Sequence, residues 1–297
     1  MNSRISLVIV LCGLLAIGYL ALYFANDTGS KVDTSTRKQS IYVPGTVTTP
    51  VTTTLMDSTE RMNKNDKSQK SNSSYRNDFS SATEAISDPR IPNFKRTRTP
   101  EYKDTSITYY SGDWMHRSTM TVHIDKEKYE YYHSLPRYYR PEDYHYYIED
   151  EHSKSAVKGI VDCILKDGAK EGKTKDALAY DVIHFVQAIP YKYDIESTGQ
   201  EDFPKYPLET LYDGCGDCED MSILLAAALR EMNYGVCLFV YDNHVAVGVY
   251  GGDNFRSPYF EYNGKKYYYI EATSEGRDIG DIPDEYKGKS AKIIQIT

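Results

Sequence analysis

An α+β domain, in which a helix led by a cysteine is followed by antiparallel strands, is predicted for the later part of this 297-residue chain. Three observations predict it. A stretch rich in Gly and Asp, Gly214 to Asp220, runs straight into the dense helix formers Met221 to Arg230, so that a tight loop should end and a helix begin at or beside Cys218. Downstream, Val236 to Val240 and His244 to Tyr250 are dense in strand formers. Then Asn263-Gly264 separates Phe260-Glu261-Tyr262 from Lys265 to Glu271, a strong signal for a two-residue hairpin.

Residues 1–4 form a short tail before Ile5 to Ala25, a stretch without charge and long enough to cross a ~30 Å hydrocarbon core. The run is long for the apolar part of a cleaved leader, and an uncleaved transmembrane anchor is expected, with a cell-membrane location and the folded domain outside the cytoplasm. Basic residues flank the span on both sides, so orientation rests on the shortness of the leading tail. Residues 26–104 are Ser, Thr, Asn, Lys and Pro with few aromatics, too little apolar surface to offset ordering entropy, and a disordered linker is expected. Between Lys31 and Arg76 it carries eight Lys or Arg against four Asp or Glu. The chain's net charge of −8 therefore lies mostly in the folded part, which argues against nucleic acid as a partner.

From Ser106 to Asp150 the chain is dense in tyrosine and holds the only tryptophan, Trp114. A packed framework whose hydroxyls stay wet is the commoner use of such rings, and it is preferred over an aromatic groove for glycan or peptide. Two helices follow. Val157, Ile160, Val161, Ile164 and Leu165 stripe the first; Leu178, Val182, Phe185 and Ile189 stripe the second, which Pro190 ends.

The helix starting at Cys218 is apolar almost all round, the signature of a buried central helix, with a stop at Asn233-Tyr234-Gly235. A cysteine on its first turn faces backbone N–H groups and the positive dipole end, which favours thiolate. Asp217, Glu219 and Asp220 push the other way, so a histidine partner is needed. His244 shares a strand face with Ala246 and Gly248, small residues that leave room for a group to approach the ring. Pairing Tyr250 with Lys265 in antiparallel register would set His244 opposite Glu271.

These residues resemble the transglutaminase-like superfamily of cysteine hydrolases, with its papain-like fold, and especially its prokaryotic, archaeal, membrane-linked members. The likeness lies in Gly216-Asp217-Cys218-Glu219-Asp220 opening an apolar helix, a strand starting at His244, and Ile270-Glu271-Ala272-Thr273 ending a later strand. It covers about residues 105 to 297, its specific part 185 to 285. The resemblance implies that the cysteine helix packs on an antiparallel β-sheet, and it implies a catalytic triad of Cys218, His244 and Glu271, with Glu271 where many relatives have Asp. It also implies that Gln187, on the helix before the nucleophile, helps the Cys218 N–H hold an oxyanion.

The expectation is thus a membrane-anchored cysteine protease, amidase or acyltransferase using a thioester intermediate, without cofactor or metal, on a protein or peptide substrate such as a cell-surface polymer. The rival is a thiol-disulfide oxidoreductase using Cys215 and Cys218, with Pro258 downstream. It wants a strand before the motif, where Phe203-Pro204-Lys205-Tyr206-Pro207 offers a proline-broken loop, and it leaves His244 and Glu271 without a task. A disulfide between the two cysteines would mask the nucleophile. A third reading is a catalytically silent binding module on the same fold. Zinc is disfavoured, because one Cys-x-x-Cys has neither a second pair nor spaced histidines, and Asp278, Asp281 and Asp284 read as a solvated acidic loop.

Overall fold

The structure, a computed structural model, describes residues 39–41, 54–55, 94–112, 115–252, 254–255 and 258–296. All of them fall in one of the chain's two compact units, Ser35–Met56 with Met62–Thr297. The anchor expected over 5–25 lies outside the described residues, and among those described no helix is long and apolar enough to cross a membrane.

The chain is α+β. Strands β3 (Tyr102–Tyr110) and β4 (Arg117–Asp125) form an antiparallel ribbon. Its buried positions alternate, Ile107 and Tyr109 against Met120, Val122 and Ile124, as period-two side chains dictate. Two short segments, β1 (Gln39–Ile41) and β2 (Thr54–Leu55), pair with β4. Ahead of β3, Arg96 bonds to Asp125, and the Thr97 N–H donates to Glu127 at 2.6 Å. The linker expected over 26–104 therefore has pieces bound to the domain. Backbone pairing and ion pairs, which need little apolar surface, hold them there, and the ordered contacts begin before residue 105.

Helices α1 (Lys126–His133), α2 (His145–Ile148), α3 (Glu151–Lys170), α4 (Lys175–Gln187), α5 (Asp194–Ser197), α6 (Pro207–Asp213) and α7 (Cys218–Glu231) follow in order. Four have side-chain caps, Asp125 for α1, Asp150 for α3, Thr174 for α4 and Asp217 for α7, each satisfying an orphan N–H. Helix α7 is buried from Asp220 to Leu229, and Asn233 ends the turn after it with φ 60°. Each large apolar side chain so buried contributes roughly 1.5–3 kcal/mol.

The second sheet is antiparallel throughout, in order β7 (Tyr259–Tyr262), β8 (Lys265–Ile270), β6 (His244–Tyr250), β5 (Gly235–Tyr241), β9 (Lys292–Ile296). Asn263 and Gly264 both take positive φ, 49° and 70°, as the predicted hairpin turn requires. Helix α7 packs on β5 and β6, its apolar residues in one core with Val236, Leu238, Val245, Val247, Val249 and Ile270. A separate small aromatic core holds Cys237, Phe239, Tyr241, Ala246, Tyr267, Tyr269 and Tyr286.

The tyrosine-dense stretch is framework. Tyr132, Tyr147 and Tyr206 are fully buried and meet edge to face, with centroids 4.6 to 4.9 Å apart. Arg137 grips buried Glu209 through two bonds of 2.6 and 2.8 Å and lies 3.9 Å over the Phe203 ring. Glu209 in turn accepts from the Tyr206 N–H at 3.0 Å, which fixes α6 immediately before the cysteine loop.

Candidate active site

The loop between α6 and α7 is held on both sides. Gly214 turns the chain at the end of α6 with φ 69°, a conformation open to glycine. Lys192 donates its N–H to the Gly216 carbonyl at 2.9 Å, and the Gly216 N–H donates to the Pro190 carbonyl at 3.3 Å. Asp217 caps α7 by accepting from the Asp220 N–H. Cys218 is thus the first residue of the helix, where N–H groups have no intrahelical partner.

Beneath the loop lies a cation that sequence reasoning passed over. Lys205 is fully buried, its ammonium 2.6 Å from Asp220 and 3.3 Å from Asp194, while its N–H donates to Asp220 at 2.7 Å. Burial disfavours the charge, but the two carboxylates more than offset it and hold the ammonium protonated. The only sign in the sequence was a lysine within the aromatic, proline-broken Phe203-Pro204-Lys205-Tyr206-Pro207.

His244 starts β6, and its Nε2 lies 2.9 Å from Glu271 Oε2. Both are buried. The register is two residues from the expected one, with Val247 opposite Ile270 and Val249 opposite Tyr268. An even shift keeps every side chain on its face. Glu271, one residue beyond β8, is therefore a diagonal neighbour of His244, within reach of a long side chain. Gly248 is small for a different reason. A Cβ on Gly248 would stand 2.4 Å from Cys237 Sγ and 2.7 Å from the Phe239 ring, so the glycine admits the aromatic core.

Three further groups complete the setting of the pair. Tyr269 donates its hydroxyl to Glu271 Oε2 at 2.9 Å, and Thr273 gives its N–H and hydroxyl to Oε1 at 3.1 and 2.7 Å. Burial opposes ionisation, but the bond to His244, its charge and the Thr273 donors bring the Glu271 carboxyl down to about 2. The third is Tyr286, whose ring stacks on the imidazole at 4.7 Å and 12°. Thr273 was visible as part of Ile270-Glu271-Ala272-Thr273; Tyr286, in a loop, gave no sign.

An ionised carboxylate can only accept, so Nε2 carries hydrogen and the neutral ring keeps its lone pair on Nδ1. The Cys218 sulfur meets the N–H of Val245, the residue after His244, and Ser222, one turn along α7, donates to the Val245 carbonyl at 2.9 Å. The first turn of α7 thus lies against the start of β6, where His244 meets Glu271. The thiol, however, donates to Glu219 Oε2 at 3.0 Å. Burial and the Glu219 charge raise the Cys218 pKa, against which the Val245 N–H works the other way. The helix dipole is outweighed in this arrangement, as the flanking acids foreshadowed.

Gln187 departs from expectation. Its amide donates to the carbonyls of Glu271 at 2.8 Å and Arg277 at 2.9 Å. Both hydrogens are spent on main chain, so the oxyanion role expected of this side chain is not one this arrangement offers; Gln187 steadies the segment that carries Glu271. The first-turn N–H groups of α7, Cys218 among them, remain the donors near the sulfur.

No protein-family model matches this chain and no curated protein resembles it. The site is described from its own chemistry. Cys215 and Cys218 are both free thiols, and the loop bearing them follows a helix rather than a strand, unlike the setting a redox Cys-x-x-Cys calls for. Carboxylate oxygens of Asp194, Asp217 and Glu219 come within 4.8 Å of one another. Each has a partner within the chain: Asp194 faces Lys205, Asp217 caps α7, and Glu219 accepts from the thiol. Burial and then the charges of Asp220 and Glu219 push the Asp217 carboxyl above the ordinary carboxylate range.

Proposed function

We propose that this chain is a transglutaminase-like cysteine hydrolase or acyltransferase acting on amide or peptide carbonyls, held to a membrane by the anchor expected over residues 5–25. The observation that carries the reading is the 2.9 Å bond between His244 Nε2 and Glu271 Oε2 at the end of β6, beside the helix start that bears Cys218. In the proposed reaction the sulfur attacks the carbonyl carbon while its proton passes to His244 Nδ1. Glu271 fixes the tautomer and steadies the imidazolium. First-turn N–H groups receive the oxyanion, a contribution that costs ~10² to 10³ in rate where it is removed. Collapse expels the amine with the proton from His244, leaving a thioester. Water then gives hydrolysis and an amine gives transfer.

The hydrogen bond that Cys218 donates to Glu219 favours a second reading, a silent module that binds a protein or surface polymer through the same site. One experiment separates the two. The full-length protein is mixed with p-nitrophenyl acetate between about pH 6 and pH 10, and nitrophenolate release is followed. A burst of one equivalent, lost in Cys218→Ser and His244→Ala and kept in Cys215→Ser, supports the hydrolase. A burst that needs Cys215 supports the redox rival, and absence of any burst from the native chain supports the silent module.

A further inference from the structure

We propose that Glu219 is a gating residue for Cys218: its carboxylate accepts a hydrogen bond from the thiol, keeps the sulfur neutral and turned toward itself, and must be neutralised or swung aside before His244 can receive the thiol proton. The inference rests on the triad reading and names a control on the same sulfur.

Geometry singles out Glu219 among the acids around the nucleophile. Its Oε2 is 3.0 Å from Sγ. The others are committed elsewhere: Asp220 is fully buried on Lys205, Asp194 shares that cation, and Asp217 is buried as the cap of α7. Glu219 alone of the four is partly exposed, so its side chain can leave for water without stranding a buried charge. It stands next to the nucleophile on the first helical turn, where a small change in its torsions makes or breaks the contact with sulfur.

The chemistry is simple to balance. With Glu219 in place, the S–H hydrogen bond joins a neutral thiol to a carboxylate. For attack, that hydrogen must move to His244 Nδ1, which would set a thiolate beside a carboxylate, and like charges at such range disfavour the ionised form. If Glu219 swings out, or meets a cationic group brought by the substrate, the repulsion goes and the sulfur is free to rotate to the ring. The titratable groups facing this sulfur from neighbouring elements are Tyr144, Tyr191, Asp217 and Tyr286. His244, at the start of β6, stands beside them. Asp194 and Asp202 face Glu219 itself.

The test is alkylation of Cys218 by iodoacetamide in the full-length protein, read by mass spectrometry of the peptide across about pH 6 to pH 10. In the native chain the midpoint is expected above the ordinary thiol value of about 8.5. Glu219→Gln should move it down by about one unit or more and speed alkylation about tenfold at pH 7, the ratio one unit gives while most of the thiol is protonated. Glu219→Asp, which keeps the charge and shortens the reach, should fall between. A native midpoint at or below the ordinary value, or unchanged profiles in both variants, would overturn the gate. Adding His244→Ala keeps the two ideas apart. If it slows alkylation while Glu219→Gln changes nothing, the triad stands and the gate falls. If Glu219→Gln accelerates and His244→Ala has no effect, the gate stands without the triad.

Discussion

His244 and Glu271 meet at 2.9 Å although the strands that carry them are not in register to face each other. The contact is made diagonally. An aspartate at 271 would be one methylene short on such a path, which gives the longer carboxylate at this position a physical reason. Four expectations follow from the groups assembled around this pair.

Replacing Glu271 by Gln keeps the volume and removes the charge. An amide can donate into Nε2 as readily as accept from it, so the ring is no longer held with its lone pair on Nδ1. The acylation rate should drop by about 10² to 10⁴. Stopped-flow measurement of the nitrophenolate burst checks this, with circular dichroism to show that the fold is kept.

The same carboxyl predicts an acid-sensitive step in stability. Its folded value, about 2, lies below the ordinary ~4.3 of a free glutamate. A depressed folded value gives stability that is present above the unfolded pKa and is lost as pH falls through the folded one. Between about pH 4.5 and pH 2 the native chain should lose up to ~3 kcal/mol from this group. Glu271→Gln should lack that component when urea midpoints are compared at pH 5 and pH 3.

Lys205→Met strands Asp220 and Asp194 beneath the cysteine loop. Removing one partner of a buried ion pair costs ~3 to 5 kcal/mol. Denaturant unfolding should show a loss of that size, and adding Asp220→Asn should return part of it, since the second change removes the uncompensated charge.

Gly248→Ala places a methyl against Cys237 Sγ and the Phe239 ring, at 2.4 and 2.7 Å. Overpacking of this kind costs ~1 to 3 kcal/mol. A lowered melting temperature that Cys237→Ala partly restores would locate the strain in the small aromatic core.

Much of this architecture was legible in local chemistry. Helix α7, its start at Cys218, the left-handed Asn233 and the hairpin at Asn263-Gly264 all follow from residue types that tolerate few alternatives. The proximity of His244 and Glu271 was legible too, because an even slip in register leaves faces unchanged. What escaped was set by long-range packing. Tyr269 and Tyr286 are two of 29 tyrosines, and nothing in their neighbours marks the one that bonds Glu271 or the one that stacks on His244. Lys205 looked like a loop lysine, because burial of a charge depends on acids brought from α5 and α7. Gln187 was assigned by likeness of position, and the two carbonyls that occupy its amide come from a loop some ninety residues away.

The sheet keeps two cores apart, the helical one behind the valines of β6 and the aromatic one around Tyr269 and Tyr286. Cys218 opens the helix of the first, and the His244 ring stacks against Tyr286 of the second. Strand β6, which carries His244 and Val245 side by side, is therefore a wall common to both halves, and a disturbance on either side would move the sulfur relative to the ring.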